Sequence, residues 1–355
     1  MLRLRLFLSL GLLIGLITLA VAKPNAPLRK TLDIYYVDVE GGAATLIVTP
    51  VGESILVDAG WPGFDGRDAK RIQVAMKQAG ITTIDHLINT HYHIDHYGGI
   101  AELAKLVTIN KFYDRGAVEA DSQDKPEPKL FSGYQAATKG KSVALKAGDV
   151  IKLKTAKGML PLKFWCLAAS GNVIAGGKSS ANSECAASET KPVDTSDNAK
   201  SVALKLSYGD FDFFDAGDLT WNIESKLVCP TNLIGQIDLY QVTHHGMDIS
   251  NNPVLLKTVA PTVAIMNNGP KKGGSANTVK WLRELPSLQA LYQVHRNLAT
   301  GDSNNTSPEY IANLEAESSE MIMVAVDGAK KSFTVTNGRT KSNPITIRLS
   351  FMPNN

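Results

Sequence analysis

Cysteine is scarce in this chain, three in 355 residues, and that scarcity excludes a small scaffold held by several disulfide bonds. One bond can form in an oxidising compartment. Cys166 and Cys185, which flank a segment rich in Gly, Ser and Ala, are the expected pair; Cys229, near the end of an expected helix over Leu219 to Val228, is then a buried thiol. No cysteine follows Ala20-Val21-Ala22, which argues against a lipoprotein, and Arg3 and Arg5 are not adjacent, which argues against twin-arginine export. Net charge is also nearly absent. The formal value is +3, falling to +1 (35 basic against 34 acidic side chains) when Arg3 and Arg5 are set aside. Nucleic acid is therefore a possible partner that the charge does not favour, because duplex binding rests on many phosphate contacts. Neither repeats nor disorder dominate, and 44% hydrophobic residues supply ample core for a globular domain.

What is present begins with a leader. Met1 to Arg5 is a basic stretch, Leu6 to Leu19 is apolar but short for a membrane span, and Ala20-Val21-Ala22 is a small-x-small cleavage site. Residues 1–22 thus read as a secretory signal peptide, with a retained anchor as the alternative, and residues 23–355 as a single domain, secreted or periplasmic, with no stable membrane span after cleavage. Strands are expected near Leu32 to Val39, Thr45 to Val48, Ile55 to Val57 and Ile84 to Asn89, with a helix from about Arg67 to Gln78. The switch of period from two to 3.6 is that of a layered α/β domain. Asp121 to Lys129, rich in proline and charge, reads as a surface loop, and Ala168 to Lys200 as an insertion at a cleft rim, either a lid or a passive loop.

The segment Thr90-His91-Tyr92-His93-Ile94-Asp95-His96-Tyr97-Gly98-Gly99 holds three of the chain's seven histidines. Histidine clustered this way, directly after the apolar run Ile84 to Asn89, is the composition of a metal site. In an extended loop, residues two apart project to the same side, so His91 and His93 can close on one ion while Asp95 and His96 reach a second. Gly98 and Gly99 would let the backbone turn sharply beneath them. His86 reads as a solvated or strand-edge residue, and His295, beside Arg296, as either a cleft residue or an ordinary strand end.

The pattern His-x-His-x-Asp-His resembles the signature of the metallo-β-lactamase-fold hydrolases, and three further elements resemble theirs in order. Ser54 to Gly60 is similar to a buried strand whose final aspartate, Asp58, orients the histidine loop. Phe211 to Asp218 ends in Gly-Asp, and Asp238 to Gly246 ends in His-His-Gly. The resemblance implies a four-layer αββα sandwich in which Asp218 is shared by two metals and His245 completes the second site. His244 is implied as a residue facing the substrate, and Asp85 joins Asp58 as a supporting carboxylate. Within that group the likeness is to the metallohydrolase domain of competence-type DNA-uptake channel proteins, carried by Ile34 to Val48 and by Asn198 to Asp218 and covering roughly residues 31 to 295. The chain departs from that likeness at Met247, where serine is usual, and in the loop Asn267 to Ser275, which lacks a histidine often found there. No histidine lies between Tyr97 and Thr243 to give the first metal a third imidazole, so Asn198 or Ser201 is the expected occupant.

The function implied is that of an exported hydrolase using two divalent ions, zinc or exchangeable manganese, with Asp95, His244 and Asp218 at the reacting centre. A small-molecule or phosphoester substrate is expected. Hydrolysis of a lactone, thioester or β-lactam, and a non-catalytic envelope module stabilised by metal, are the competing readings; fold by itself does not choose among them.

Overall fold

The computed structural model describes residues 28–176, 181–341 and 344–349. The segment read as a signal peptide lies outside the described residues.

The first sheet is built from β1 (Leu32–Tyr36), β2 (Thr45–Val48), β3 (Ser54–Val57), β4 (Thr83–Ile88), β5 (Thr108–Asp114) and β6 (Val143–Ala144), joined by β15 (Ile322–Asp327), β16 (Ser332–Asn337) and β17 (Ile345–Arg348). Its order is β17-β16-β15-β1-β2-β3-β4-β5-β6. The second contains β7 (Leu162–Ala169), β8 (Asn172–Val173), β9 (Ala203–Tyr208), β10 (Phe211–Asp215), β11 (Leu239–Gln241), β12 (Val263–Met266), β13 (Ala290–His295) and β14 (Ile311–Asn313), in the order β14-β13-β12-β11-β10-β9-β7-β8. In each sheet one half is parallel: β3 to β6 in the first and β10 to β14 in the second. Parallel strands need cover on both faces, which is why Ser54–Val57 and Val263–Met266 are buried at every position.

Between the sheets Ile34, Tyr36, Ile47, Phe164, Phe211, Phe213 and Phe333 form the central core. Outside the first sheet lie α1 (Arg67–Gln78), α2 (Ile94–Tyr97), α3 (Ile100–Leu106) and α4 (Pro128–Thr138), and Ala69, Ile72, Ala75 and Met76 give α1 its apolar stripe. Outside the second lie α5 (Trp221–Val228), α6 (Pro253–Val259) and α7 (Ala276–Arg283), burying Leu227, Leu255, Val259 and Leu282. The layers run helix, sheet, sheet, helix, the αββα sandwich expected.

Several details differ from the expectation. The disulfide joins Cys185 to Cys229 with Cα atoms 5.7 Å apart, and Cys166 is the buried thiol. Cys166 lies in β7 facing the core between the sheets, whereas Cys185 sits on a short turn (Ser183–Ala187) beside the end of α5; nearness in sequence pointed to the wrong partner. The surface loop expected over Asp121 to Lys129 gives way to α4 at Pro128, because proline suits the first helical position and the Glu127 carboxylate accepts from the backbone N–H groups of Lys129 and Leu130. The insertion Ala168 to Lys200 is anchored where it is described: besides the disulfide, Asn182 donates to the Val228 carbonyl (2.9 Å) and to Thr258 (2.8 Å). Gly98 and Gly99 have ordinary helical angles. Their need is close approach, since a Cβ on Gly99 would lie 2.1 Å from the Ala59 carbonyl oxygen.

Candidate metal centre

Four loops meet at the carboxyl ends of the parallel strands β3, β4, β10 and β11, the end at which α/β sheets ordinarily build sites. Asp58 follows β3, at φ 60°. Its carboxylate accepts from the Thr90 backbone N–H (2.7 Å), the Thr90 hydroxyl (2.7 Å) and His96 Nδ1 (2.7 Å). The loop after β4 is therefore fixed to β3, and His96 has its Nε2 left for another partner. After β11, His244 and His245 both adopt left-handed angles (φ 56° and 53°), which non-glycine residues hold only when their surroundings require it.

These loops bring two donor groups together, Asp95 with His96, Asp218 and His245, and His91 with His93 and Asp218, the donor atoms of each lying within 4.8 Å of one another. In the group of Asp95, His96 Nε2 is 3.3 Å from Asp95 and 3.2 Å from Asp218, and His245 Nε2 is 3.1 Å from Asp95 and 3.4 Å from Asp218. Four donors about 2.0–2.1 Å from a tetrahedral ion are spaced roughly 3.3 Å apart, so the group fits a small divalent cation. In the group of His91 and His93, His91 Nε2 lies 3.9 Å from Asp218 and is buried without a hydrogen-bond partner among the described residues. Burial would raise the Asp218 and Asp95 carboxylates, but the surrounding imidazoles outweigh it and hold both well below the usual range. Burial and the neighbouring His96 push His91 far down. For His96 burial acts the same way, and the carboxylates of Asp218, Asp95 and Asp58 reverse it. A dense set of buried anions and imidazoles is the environment a metal ion would neutralise.

His244 stands beside this centre. Its Nε2 is 3.4 Å from Asp218, and burial lowers its pKa to about 4. Ser250 gives its hydroxyl proton to the Leu219 carbonyl (2.8 Å), so its oxygen accepts from His244 Nδ1–H (3.1 Å). The ring is then neutral with a lone pair on Nε2, and the Asn198 amide approaches that nitrogen at 3.4 Å. Asn198 and Ser201 part company here. Ser201 Oγ accepts from the Asp218 backbone N–H (3.2 Å), while Asn198 Oδ1 is buried with no partner among the described residues.

Two site residues carry no sequence motif. Asp124, from the loop before α4, accepts from His93 Nε2 at 2.7 Å and from the Asp197 backbone N–H at 2.8 Å. Lys272, from the glycine-rich loop after β12, pairs with Asp95 and lies over the Trp61 ring at 5.2 Å. Gly273 lets that loop pass under His245, whose carbonyl oxygen a Cβ would meet at 2.1 Å.

The remaining assignments separate from the centre. Asp85 is at the far end of β4, accepting from Ser54 (3.0 Å) and Lys154 (3.2 Å), so it supports no ligand. His86 is buried between Glu53 (2.9 Å) and Tyr113 (3.2 Å), not solvated, because the neighbouring strands β3 and β5 cover it. His295 is fully buried against Asp38 (2.6 Å), which also pairs with Arg71 (2.9 Å): a link between the two sheets.

Residues 37–157 match the metallo-β-lactamase superfamily, and the two-sheet architecture is the metallo-β-lactamase fold. Solved structures similar to it include CmlA, a diiron β-hydroxylase from Streptomyces venezuelae (14% identity, TM-score 0.38, covering 68% of this chain and 45% of that one). The metallo-β-lactamase fold protein YhfI from Bacillus subtilis is similar at 14% identity and TM-score 0.42, covering 74% of this chain and 95% of that one. A metallo hydrolase from the archaeon Ignicoccus hospitalis is similar at 12% identity and TM-score 0.40, covering 82% and 98%. The chain spans about half the length of the diiron β-hydroxylase. No curated protein matches the chain. The superfamily match and the converging histidines and aspartates support a metal-dependent hydrolase; proteins of this fold bind divalent metals, often two.

Proposed function

We propose that this protein is an exported phosphodiesterase or phosphoesterase, with residues 23–355 forming one catalytic domain. The observation that carries the reading is the pair of donor groups sharing Asp218. His91, His93 and Asp218 would hold one divalent cation, with Asn198 Oδ1 as the neutral donor in place of an imidazole, and Asp95, His96, Asp218 and His245 would hold the other. Zinc suits both groups, each with two imidazoles, and manganese can replace it in the group of His91 and His93, where an amide oxygen, harder than imidazole, stands in for the third. Two such ions supply Lewis acidity toward a phosphoryl oxygen and a water whose pKa falls to about 7.

The chain's own residues do the rest. Asp218 fixes the separation of the two groups, Asp95 balances the charge of the second, and Lys272 beside Asp95 is placed to meet an anionic substrate oxygen. His244 departs from the role of oxyanion donor: its unprotonated Nε2 is suited to accept a hydrogen bond from a water or hydroxyl at the centre and so orient it. Phosphodiester chemistry is favoured over carbonyl chemistry by the absent third imidazole and by the motif likeness to the competence-type channel domains. Export is supported by the Cys185–Cys229 bond, and no helix among the described residues is long and apolar enough to cross a membrane.

The test is a comparison of the metal-replete protein on bis(p-nitrophenyl) phosphate, a cephalosporin and a lactone. The phosphodiester should turn over fastest. Asp218→Ala should lower that rate by several orders of magnitude with the fold retained, and His244→Ala by about a hundredfold with metal content unchanged. Preference for the cephalosporin or lactone, or full activity of Asp218→Ala, would refute the reading.

A further inference from the structure

Beside the metal centre, on the side of His244, lies a cavity of about 420 Å³ that none of the ligand loops accounts for. One wall comes from the insertion (Lys191, Pro192 and Ser196), and the other from Trp221 and Ile249. The inner end is Asn198, whose amide is 3.4 Å from His244 Nε2, so a single side chain lies between the cavity and His244. The insertion wall is fastened. Cys185 is bonded to Cys229, the Lys191 backbone N–H donates to Asn222 (3.0 Å), and Asn222 donates back to the Lys191 carbonyl (2.7 Å).

Its charges are already engaged. Lys191 Nζ lies 3.6 Å above the Trp221 ring and donates to the Asp248 carbonyl (2.6 Å), and the Asp194 carboxylate accepts from the Ser196 backbone N–H (2.8 Å). With Asn198 Oδ1 assigned to the metal centre, what remains unsatisfied is neutral: Ser196 Oγ is buried with no partner among the described residues. A slot walled by Pro192, Trp221 and Ile249, with its charges engaged, suits a flat, uncharged ring more than a second ion.

We propose that this cavity receives an aromatic group of the substrate, attached to the phosphoryl group held at the metal centre, a reading that rests on the function proposed above. The test is calorimetric titration of the metal-loaded protein with methylphosphonate, phenylphosphonate and 2-naphthylphosphonate, none of which is turned over. Both aryl probes should bind at least tenfold more tightly than methylphosphonate, the effect expected from burying one ring. Ile249→Glu and, separately, Pro192→Asp, both at the solvent rim, should erase that preference and leave methylphosphonate binding unchanged. Equal affinities in the unmodified protein, or a preference that survives both substitutions, would overturn the proposal. If phosphodiesters are hydrolysed without an aryl preference, the cavity assignment fails alone; if the preference holds without any hydrolysis, the cavity stands and the phosphodiesterase reading falls.

Discussion

Asp58 and Asp124 perform the same task on different imidazoles and leave opposite nitrogens free. Asp58 takes His96 Nδ1 and leaves Nε2, whereas Asp124 takes His93 Nε2 and leaves Nδ1. A ligating imidazole oriented in this way is a stronger and better-placed donor, and losing such a partner typically lowers metal affinity by about 10–100-fold. Asp124→Ala should therefore weaken one ion by about that factor and leave the other unchanged, read by competition with a chromogenic chelator. Equal weakening of both ions, or of neither, would remove Asp124 from the site. Asp58 was legible because it ends a buried strand in a recognisable pattern. Asp124 was not, because it stands in a loop whose proline and charge signal only exposure, and its partner lies 31 residues away. Lys272 is illegible for a related reason: its loop is marked in the sequence only by a missing imidazole, and the side chain that reaches Asp95 is an amine.

Elements with a strong period were readable, and elements defined by their neighbours were not. The helix Arg67–Gln78 and the strands around β3 and β4 fall where apolar spacing put them, while β7 and the Cys185–Cys229 bond depend on which segments lie side by side after folding. The α5 helix shows how one element supports the site from a distance. Glu224 is fully buried and accepts from the backbone N–H groups of Asn251 (3.0 Å) and Asn252 (2.8 Å), fixing the loop that follows His245. Burial raises its carboxyl to about 7, against partners that pull it down. The folded chain thus holds this proton more tightly than the unfolded chain. The associated stability is present in full below about pH 4.5 and is lost as the pH rises through about 7, on the order of 3 kcal/mol over the whole span. Glu224→Gln should lower stability at pH 5, because one backbone N–H loses its acceptor, and should flatten the fall between pH 5 and 7.5. Urea denaturation in chelator at the two pH values measures this; an unchanged slope would show that Glu224 does not carry it.

At the scale of the whole molecule the site is a joint between the two sheets. His91, His93, Asp95 and His96 follow a strand of the first, while Asp218 and His245 follow strands of the second, and each donor group draws on both. Removing the ions should therefore loosen one sheet against the other as well as abolish activity. The second group has its full set of charged and imidazole donors, while the first relies on a neutral amide, so chelation should pass through a one-metal species retaining the ion at Asp95, His96, Asp218 and His245. An ion present at about 1,000 times its Kd stabilises the folded chain by about 4.1 kcal/mol, so the melting temperature should fall in two steps, the larger accompanying loss of the second ion. His245→Ala should abolish the larger step and His91→Ala the smaller. If His91→Ala removes the tighter ion instead, the order of the two sites is reversed. Lys272 then contributes to the stability of the stripped state: with the ions gone it and His96 are the cations against Asp95, and Lys272→Met should lower the melting temperature of the metal-free protein more than that of the loaded one.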